Sequence, residues 1–290
     1  MKVLVTGASG LIGSELIRVL QEQGHSTVAW KRGTIVPVSE METYDAVVNL
    51  AGATTGKLPW TKKYKQELID SRIETTKMLA ESINNCQKPP SVFVSGSASG
   101  FYGDTKTLNA TEETPKGTGF LSDLSANWEA AALKAKTRVV IIRTTMVMSR
   151  KLGALGRLLP LIKFGVGGPL ASGKQWWAWI SLPDEVNAIL HLINTPSAKG
   201  VYNLTAPEAA TCIDVVRSLA KALNRPAIVP VPAFALRIAF GEGADELLIC
   251  NQKLSADKLL ASGFKFQHPT LDSASAWVVK NPPQLVDGVF

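Results

Sequence analysis

Cysteine is scarce in this sequence: Cys86, Cys212 and Cys250 lie far apart, with no C-x-x-C spacing. An odd count in a chain of 290 residues argues against a disulfide scaffold and for a reducing compartment. Long hydrophobic runs are missing. The nearest, 227–240, is interrupted by Pro230, Pro232 and Arg237, and a spanning helix needs roughly 18 uninterrupted residues, so no membrane partner is expected. His25, His191 and His268 are not paired at ligand spacing and have no cysteine nearby, so no metal site is expected. Lys plus Arg outnumber Asp plus Glu by 31 to 24. The basic residues are scattered, however, in clusters no longer than Lys31-Arg32 and Lys62-Lys63. Without a basic tail or stripe, no nucleic-acid partner is expected. The opening residues lack the layout of a signal peptide, so a cytoplasmic protein is expected, with an organellar form left open.

What is present suits a large packed core, with 46% apolar and 19% charged residues. Short β-branched runs alternate with helical spacing. Lys2 to Thr6 reads as a strand, Leu11 to Leu20 as a helix ended by Gly24, and Ser26 to Trp30 as a second strand. Tyr44 to Leu50, Ser91 to Ser95 and Arg138 to Ile142 read as further strands. A long helix over 60–84 and another reaching Ala135 from near Leu121 lie between them. Nearly all-apolar strands alternating with helices predict an α/β protein: a Rossmann-type parallel sheet with helices on both faces. Glycines crowd 153–173, ahead of Trp176-Trp177-Ala178-Trp179. We therefore expect a nucleotide-binding domain over 1–150, with core strands recurring in 175–205. A smaller interleaved C-terminal α/β substrate region is expected over 151–290.

Thr6-Gly7-Ala8-Ser9-Gly10-Leu11-Ile12-Gly13 joins the first strand to the first helix. Gly7 permits a tight turn, Gly10 lets backbone approach a pyrophosphate, and Gly13 lets the helix press on the sheet. The helix start offers unpaired amides and a favourable dipole end. An ordinary βα turn without a ligand is the alternative. After the second strand, where a carboxylate would hold the ribose hydroxyls of NAD, the chain reads Trp30-Lys31-Arg32. Two cations and no acid there predict NADP (NADPH) as cofactor, with a guanidinium gripping the 2′-phosphate; solvated charges on a loop are the alternative. Asn49-Leu50-Ala51-Gly52-Ala53 ends another strand, and its small residues would let the cofactor lie across the strand ends, a simple turn being the alternative.

Together, TGASGLIG, NLAGA and SGSASGFYG resemble an extended short-chain dehydrogenase/reductase. Asn127-Trp128-Glu129, Gly167-Gly168-Pro169-Leu170, Asn203-Leu204-Thr205-Ala206-Pro207-Glu208 and Gly263-Phe264-Lys265-Phe266 narrow the resemblance. They match the "epimerase family protein" branch with its additional C-terminal segment. The resemblance implies a Rossmann fold, NADP and an undefined small-molecule substrate. The wider superfamily works through a tyrosine and a lysine four residues on, with a serine nearby. Here those positions fall on Leu121, Ser125 and Ala98, so the usual proton relay is missing.

Tyr102, Arg72 and Ser97 are the candidate catalytic replacements. Tyr102 follows the strand bearing Ser95 and Ser97 and should lie near the nicotinamide. A pocket wall with a satisfied hydroxyl is its alternative role. Arg72 and Arg143 could hold an anion or form structural ion pairs. Cofactor contacts are expected from Gly7, Ser9, Gly10, Leu11, Ile12 and Gly13. Lys31, Arg32, Leu50, Ala51, Gly52, Arg72, Ser95 and Arg143 are expected to add to them. Phe101, Tyr102 and Trp176 are expected to line the substrate pocket. The expected function is NADP-dependent oxidoreduction of an unknown substrate without the Tyr-Lys pair. A non-catalytic NADP sensor or scaffold and a nucleotide-sugar epimerase-like enzyme are the alternatives. A homodimer through the long helix is a further possibility by resemblance.

Overall fold

A computed structural model describes residues 1–30, 33–150, 153–165 and 167–280. The main sheet holds β1 (Lys2–Thr6), β2 (Ser26–Ala29), β3 (Ala46–Asn49), β4 (Val92–Ala98), β5 (Arg138–Thr144) and, after the short β6 (Met146–Met148) and β7 (Trp179–Ser181), β8 (Gly200–Leu204). Its order is β2-β1-β3-β4-β5-β8, and every pairing is parallel. β6 and β7 form a separate parallel pair.

Helices cover both faces, which is why the strands carry apolar side chains on each side. α1 (Leu11–Glu22) and, later in the chain, α6 (Leu182–Asn194) pack on one face. α2 (Val38–Met41), α3 (Lys62–Asn84) and α4 (Phe120–Ala132) cover the other. α5 (Gly153–Lys163), α7 (Cys212–Leu223) and α11 (Leu271–Lys280) gather around Trp177 and Trp179 in a second core. Between α7 and α11 the chain forms α8 (Ala233–Phe240), α9 (Glu242–Ala244), a π-turn (Asp245–Ile249) and α10 (Asp257–Ala261).

Local chemistry explains most boundaries. Thr61 caps α3 through the Tyr64 amide, and Ser181 caps α6 through the Asp184 amide. Thr211 and Asp214 form a reciprocal capping box at α7, worth about 1 kcal/mol for such a cap. β4 runs three residues past the expected Ser95, because Gly96, Ser97 and Ala98 continue to pair with β5. α6 is not legible in the sequence. Its buried Asp184 and Glu185 blur the amphipathic pattern of its first turn.

Candidate active site

The chain order reverses between β1 and β3, where a doubly wound sheet opens a crevice at its carboxyl edge. Gly7 leaves β1 with φ +67°, and a Cβ there would lie 2.3 Å from the Leu50 carbonyl oxygen beyond β3. A Cβ on Gly13 would lie 2.3 Å from the Gly7 oxygen. Both glycines are therefore fixed by close backbone approach. Gly10 begins α1, and no side chain caps its amides. Ser9 and Gly10 are exposed, and Leu11 and Ile12 are half-buried, so the turn presents open backbone. Gly13→Ala is expected to cost about 1–3 kcal/mol through overpacking. A urea midpoint equal to that of the wild type would show that the turn relaxes freely.

A buried chain of hydrogen bonds, not foreseen from the sequence, fixes the loop after β3. Register places Thr6, Asn49 and Ser95 side by side on three strands. Thr6 Oγ1 donates to Asn49 Oδ1 at 2.6 Å, and Asn49 Nδ2 donates to Thr76 Oγ1 at 2.7 Å. Trp128 Nε1 also donates to Thr76 Oγ1, at 2.9 Å. The Ala51 amide donates to Thr6 Oγ1. Ser95 is fully buried within the sheet. That burial removes it as a direct cofactor contact and makes it a neighbour of this chain.

Arg72 reaches the same crevice from α3. Its Nη2 donates to the Ala53 oxygen at 3.0 Å and its Nη1 to the Leu68 oxygen at 3.1 Å. A Cβ on Gly52 would meet the guanidinium at 2.9 Å. The guanidinium also lies 5.3 Å from the centre of the Trp128 ring. Among the described residues no carboxylate pairs with Arg72, and burial lowers its pKa to about 10. A structural ion pair is therefore not its role. Lys31 and Arg32 lie outside the described residues.

The other arginine differs from its expectation. Arg143 forms a bidentate pair with Glu129, Nε to Oε1 at 2.8 Å and Nη2 to Oε2 at 2.9 Å. Both side chains are nearly inaccessible, at 3% and 7%. Arg143 Nη1 donates to Tyr102 Oη at 2.7 Å, and that hydroxyl donates to Asn203 Oδ1 at 2.7 Å. Ser97 Oγ donates to Glu129 Oε1 at 2.6 Å. The register sets this arrangement, because Ser97, Arg143 and Asn203 are partners on β4, β5 and β8.

Arg143 is thus committed to protein partners and not to a cofactor. Tyr102 is buried with its hydroxyl bonded on both sides, so it is neither an acid-base group nor a wall open to substrate. Burial pushes its phenol up by more than Arg143 pulls it down. Ser97 is tied to Glu129, which removes it as a catalytic group. Glu112, an unremarkable loop acid in the sequence, accepts the Asn203 amide at 2.8 Å.

A cleft of about 310 Å³ opens beside the carboxyl end of β4. Gly100 and Leu121 line it together with Arg237, Asp245, Glu246 and Gln252. Leu121 and Ser125 sit one helical turn apart on α4, both buried. Phe101 lies outside the cleft wall, its ring 3.5 Å from the Arg143 guanidinium. Trp176 is outside it as well. Its backbone bridges Thr211, and its ring lies 4.5 Å from Lys253 Nζ. Trp177 and Trp179 are core residues. A wider groove of about 360 Å³ between α7 and α11 takes no wall from the sheet's carboxyl edge, and its Lys221 and Asp272 pair with each other. Among the described residues no group of side chains could hold a metal, and no helix is long and apolar enough to cross a membrane.

A glycine turn at the switch point of a Rossmann sheet, with a cleft beside the carboxyl end of β4, defines a nucleotide-binding protein of the short-chain dehydrogenase/reductase type. The chain belongs to the NAD dependent epimerase/dehydratase family, whose pattern matches residues 3–205. A second pattern, a domain of unknown function (DUF1731), matches residues 231–278. An epimerase family protein of Mycobacterium leprae is 36% identical, with 97% of each chain covered. Human epimerase family protein SDR39U1 was solved with NADPH. It superposes with a TM-score of 0.91 at 31% identity, covering 97% of this chain and 100% of the human one. A nucleoside-diphosphate sugar epimerase from Corynebacterium glutamicum gives a TM-score of 0.77 at 27% identity, over 99% of this chain and 59% of its own.

Proposed function

We propose that the protein binds NADP(H) across the carboxyl edge of β1, β3 and β4 and moves hydride to and from a carbonyl or alcohol carbon held in the cleft beside Leu121. The observation that carries this reading is the cradle at Gly7, Gly13 and Gly52, where any Cβ would collide with the backbone or with Arg72. Such a cradle suits a pyrophosphate lying on backbone amides at the start of α1. NADPH in the human relative supports the choice of dinucleotide. When bound, the cofactor supplies a hydride acceptor or donor.

The protein's residues do the rest. Gly7 to Gly13 hold the phosphates, and Arg72 puts an unpaired positive charge beside Gly52. Lys31 and Arg32 follow β2 and supply the grip on the 2′-phosphate. The Asn49 hydrogen-bond chain keeps the loop after β3 in register with the glycine turn.

Titration of the cofactor-free protein with NADPH and NADH, read by energy transfer from tryptophan, tests this. NADPH is expected to bind more tightly. Arg32→Ala is expected to weaken NADPH by about 10- to 100-fold, the loss of a hydrogen bond between charged groups, and to leave NADH nearly unchanged. Equal losses for both cofactors would sink the 2′-phosphate assignment.

A second reading, in which the hydride returns to the same substrate and the product is its epimer, is favoured by the family and by the sugar epimerase it superposes on. Net conversion of NADPH to NADP with substrate present separates the two, because epimerisation leaves the cofactor unchanged.

A further inference from the structure

Leu121 lines the cleft with a hydrocarbon side chain that can neither give nor take a proton, and the titratable and hydroxyl groups near it can be taken in turn. Tyr102 and Ser97 are committed to the buried network around Glu129. Asp245 is gripped by the Arg237 guanidinium through contacts of 2.9–3.1 Å. Asp104 accepts the amides of Lys106 and Asn251 and is exposed to water. The Cys250 thiol donates to the Glu246 carbonyl, and burial pushes it up to about 12. Glu246 remains.

Glu246 lies in the π-turn of the DUF1731 segment and is half-buried. Its Oε1 accepts the Phe120 amide and its Oε2 the Leu121 amide, both at 2.7 Å. It therefore caps α4, whose own N-cap, Gly119, offers no side chain. Gly119 has φ +115°, and a Cβ there would lie 2.9 Å from Glu246 Oε1. Glycine at that position is what admits the carboxylate. Both oxygens are oriented, and each keeps a lone pair for a substrate hydroxyl.

We propose that Glu246, delivered by the C-terminal segment, is the proton donor and acceptor of the cleft, in place of the tyrosine that position 121 lacks. The proposal rests on the hydride-transfer reading. In oxidation, a substrate hydroxyl gives its proton to the Glu246 carboxylate while its C–H bond breaks. Both electrons leave as hydride to the nicotinamide, and the C–O bond becomes C=O. Reduction runs in reverse, with the protonated carboxyl donating to the carbonyl oxygen. Burial lifts Glu246 above the ordinary carboxylate range, and the two amides offset part of that. The charged groups around it are Lys65 from α3, Glu242 from α9, its neighbour Asp245 with the Arg237 that grips it, and Asp104 in the same cleft. This assigns the DUF1731 segment a role as the reacting wall of the cleft.

The test uses the full chain loaded with NADPH, with diacetyl and phenanthrenequinone as carbonyl probes, followed by loss of the reduced-nicotinamide absorbance. The wild type is expected to reduce at least one probe, with a rate that falls as pH rises through the Glu246 ionisation. Glu246→Gln is expected to lower kcat by about 10²- to 10⁴-fold and abolish that pH dependence, with NADPH affinity retained and the fold weakened only by as much as a lost helix cap costs. Glu246→Asp keeps the carboxyl and is expected to keep the pH dependence at an intermediate rate.

Three results overturn the assignment. Glu246→Gln could keep the wild-type rate and pH profile, or lose NADPH binding together with rate, as a purely structural cap would. Or a wild type that binds NADPH could reduce neither probe. A wild type that fails to bind NADPH removes the hydride-transfer reading itself, and is recognised before any probe is added.

Discussion

Glu129→Gln is expected to destabilise the fold by about 3–5 kcal/mol, the range for breaking a buried ion pair by removing one partner. The carboxylate accepts two bonds from Arg143 and one from Ser97. A neutral amide leaves the guanidinium charged, buried and facing an N–H donor. Burial lowers the Arg143 pKa and Glu129 more than restores it; without Glu129 the guanidinium still keeps its proton, as arginine does in proteins, so the charge stays when its partner goes. The damage spreads, because Arg143 also holds Tyr102 and lies against Phe101. Urea unfolding at several salt concentrations measures it. The loss should be nearly independent of salt, since a pair this buried is little screened. A loss under about 1 kcal/mol, the size expected for a surface pair, would show that water reaches the site. Replacing both partners with apolar residues of similar volume should recover much of the loss.

Glu185 should make stability fall as pH rises, and Glu185→Gln should abolish that fall. The side chain is fully buried in the first turn of α6. Thr144 Oγ1 donates to its Oε1 at 2.7 Å, and its Oε2 has no partner among the described residues. Desolvation raises its pKa from 4.5 to about 8, against a smaller opposing effect of the Thr144 bond.

Below pH 4.5 both folded and unfolded chains hold the proton, and the group contributes no slope. Between 4.5 and about 8 the unfolded chain releases it while the folded chain keeps it. The unfolded state then binds fewer protons, so stability declines with pH. At 1.36 kcal/mol per pH unit, the full decline is roughly 5 kcal/mol at most. Glu185→Gln should match the wild type near pH 4.5 and exceed it by a few kcal/mol above pH 8. Unfolding curves across this range that stay parallel for the two proteins would mean that Glu185 has an ionised partner in the fold.

Several features were legible in the residues alone. The strand Lys2–Thr6, the glycine spacing 7-10-13 and the apolar face of α1 identified a dinucleotide fold, because period and turn chemistry are local properties. The acid-free Trp30-Lys31-Arg32 stretch pointed to NADP for the same reason.

The roles of the polar residues were not legible. In sequence Arg72, in the middle of a long helix, and Arg143, at a strand end, are both cations with no local sign of a partner. Register places Arg143 between Ser97 and Asn203, where Glu129 pairs with it, while Arg72 meets carbonyls, a glycine and the Trp128 ring but no carboxylate among the described residues. Tyr102 was correctly placed after β4, yet one turn of 3₁₀ helix, Ser99–Tyr102, leads its hydroxyl to Asn203, a residue 101 positions further along the chain. Glu246 carried no signal at all. Its partner amides belong to residues about 125 positions earlier, and nothing local distinguishes a capping acid in trans from a solvated one.

The sequence by itself therefore determined the fold class, the family and the kind of cofactor. Only the tertiary structure decided which charges are buried in pairs, which stay available, and which carboxyl faces the cleft. Turns and periodicity follow from neighbouring residues, whereas charge pairing and desolvation depend on groups that only strand register and the return of the C-terminal segment bring together.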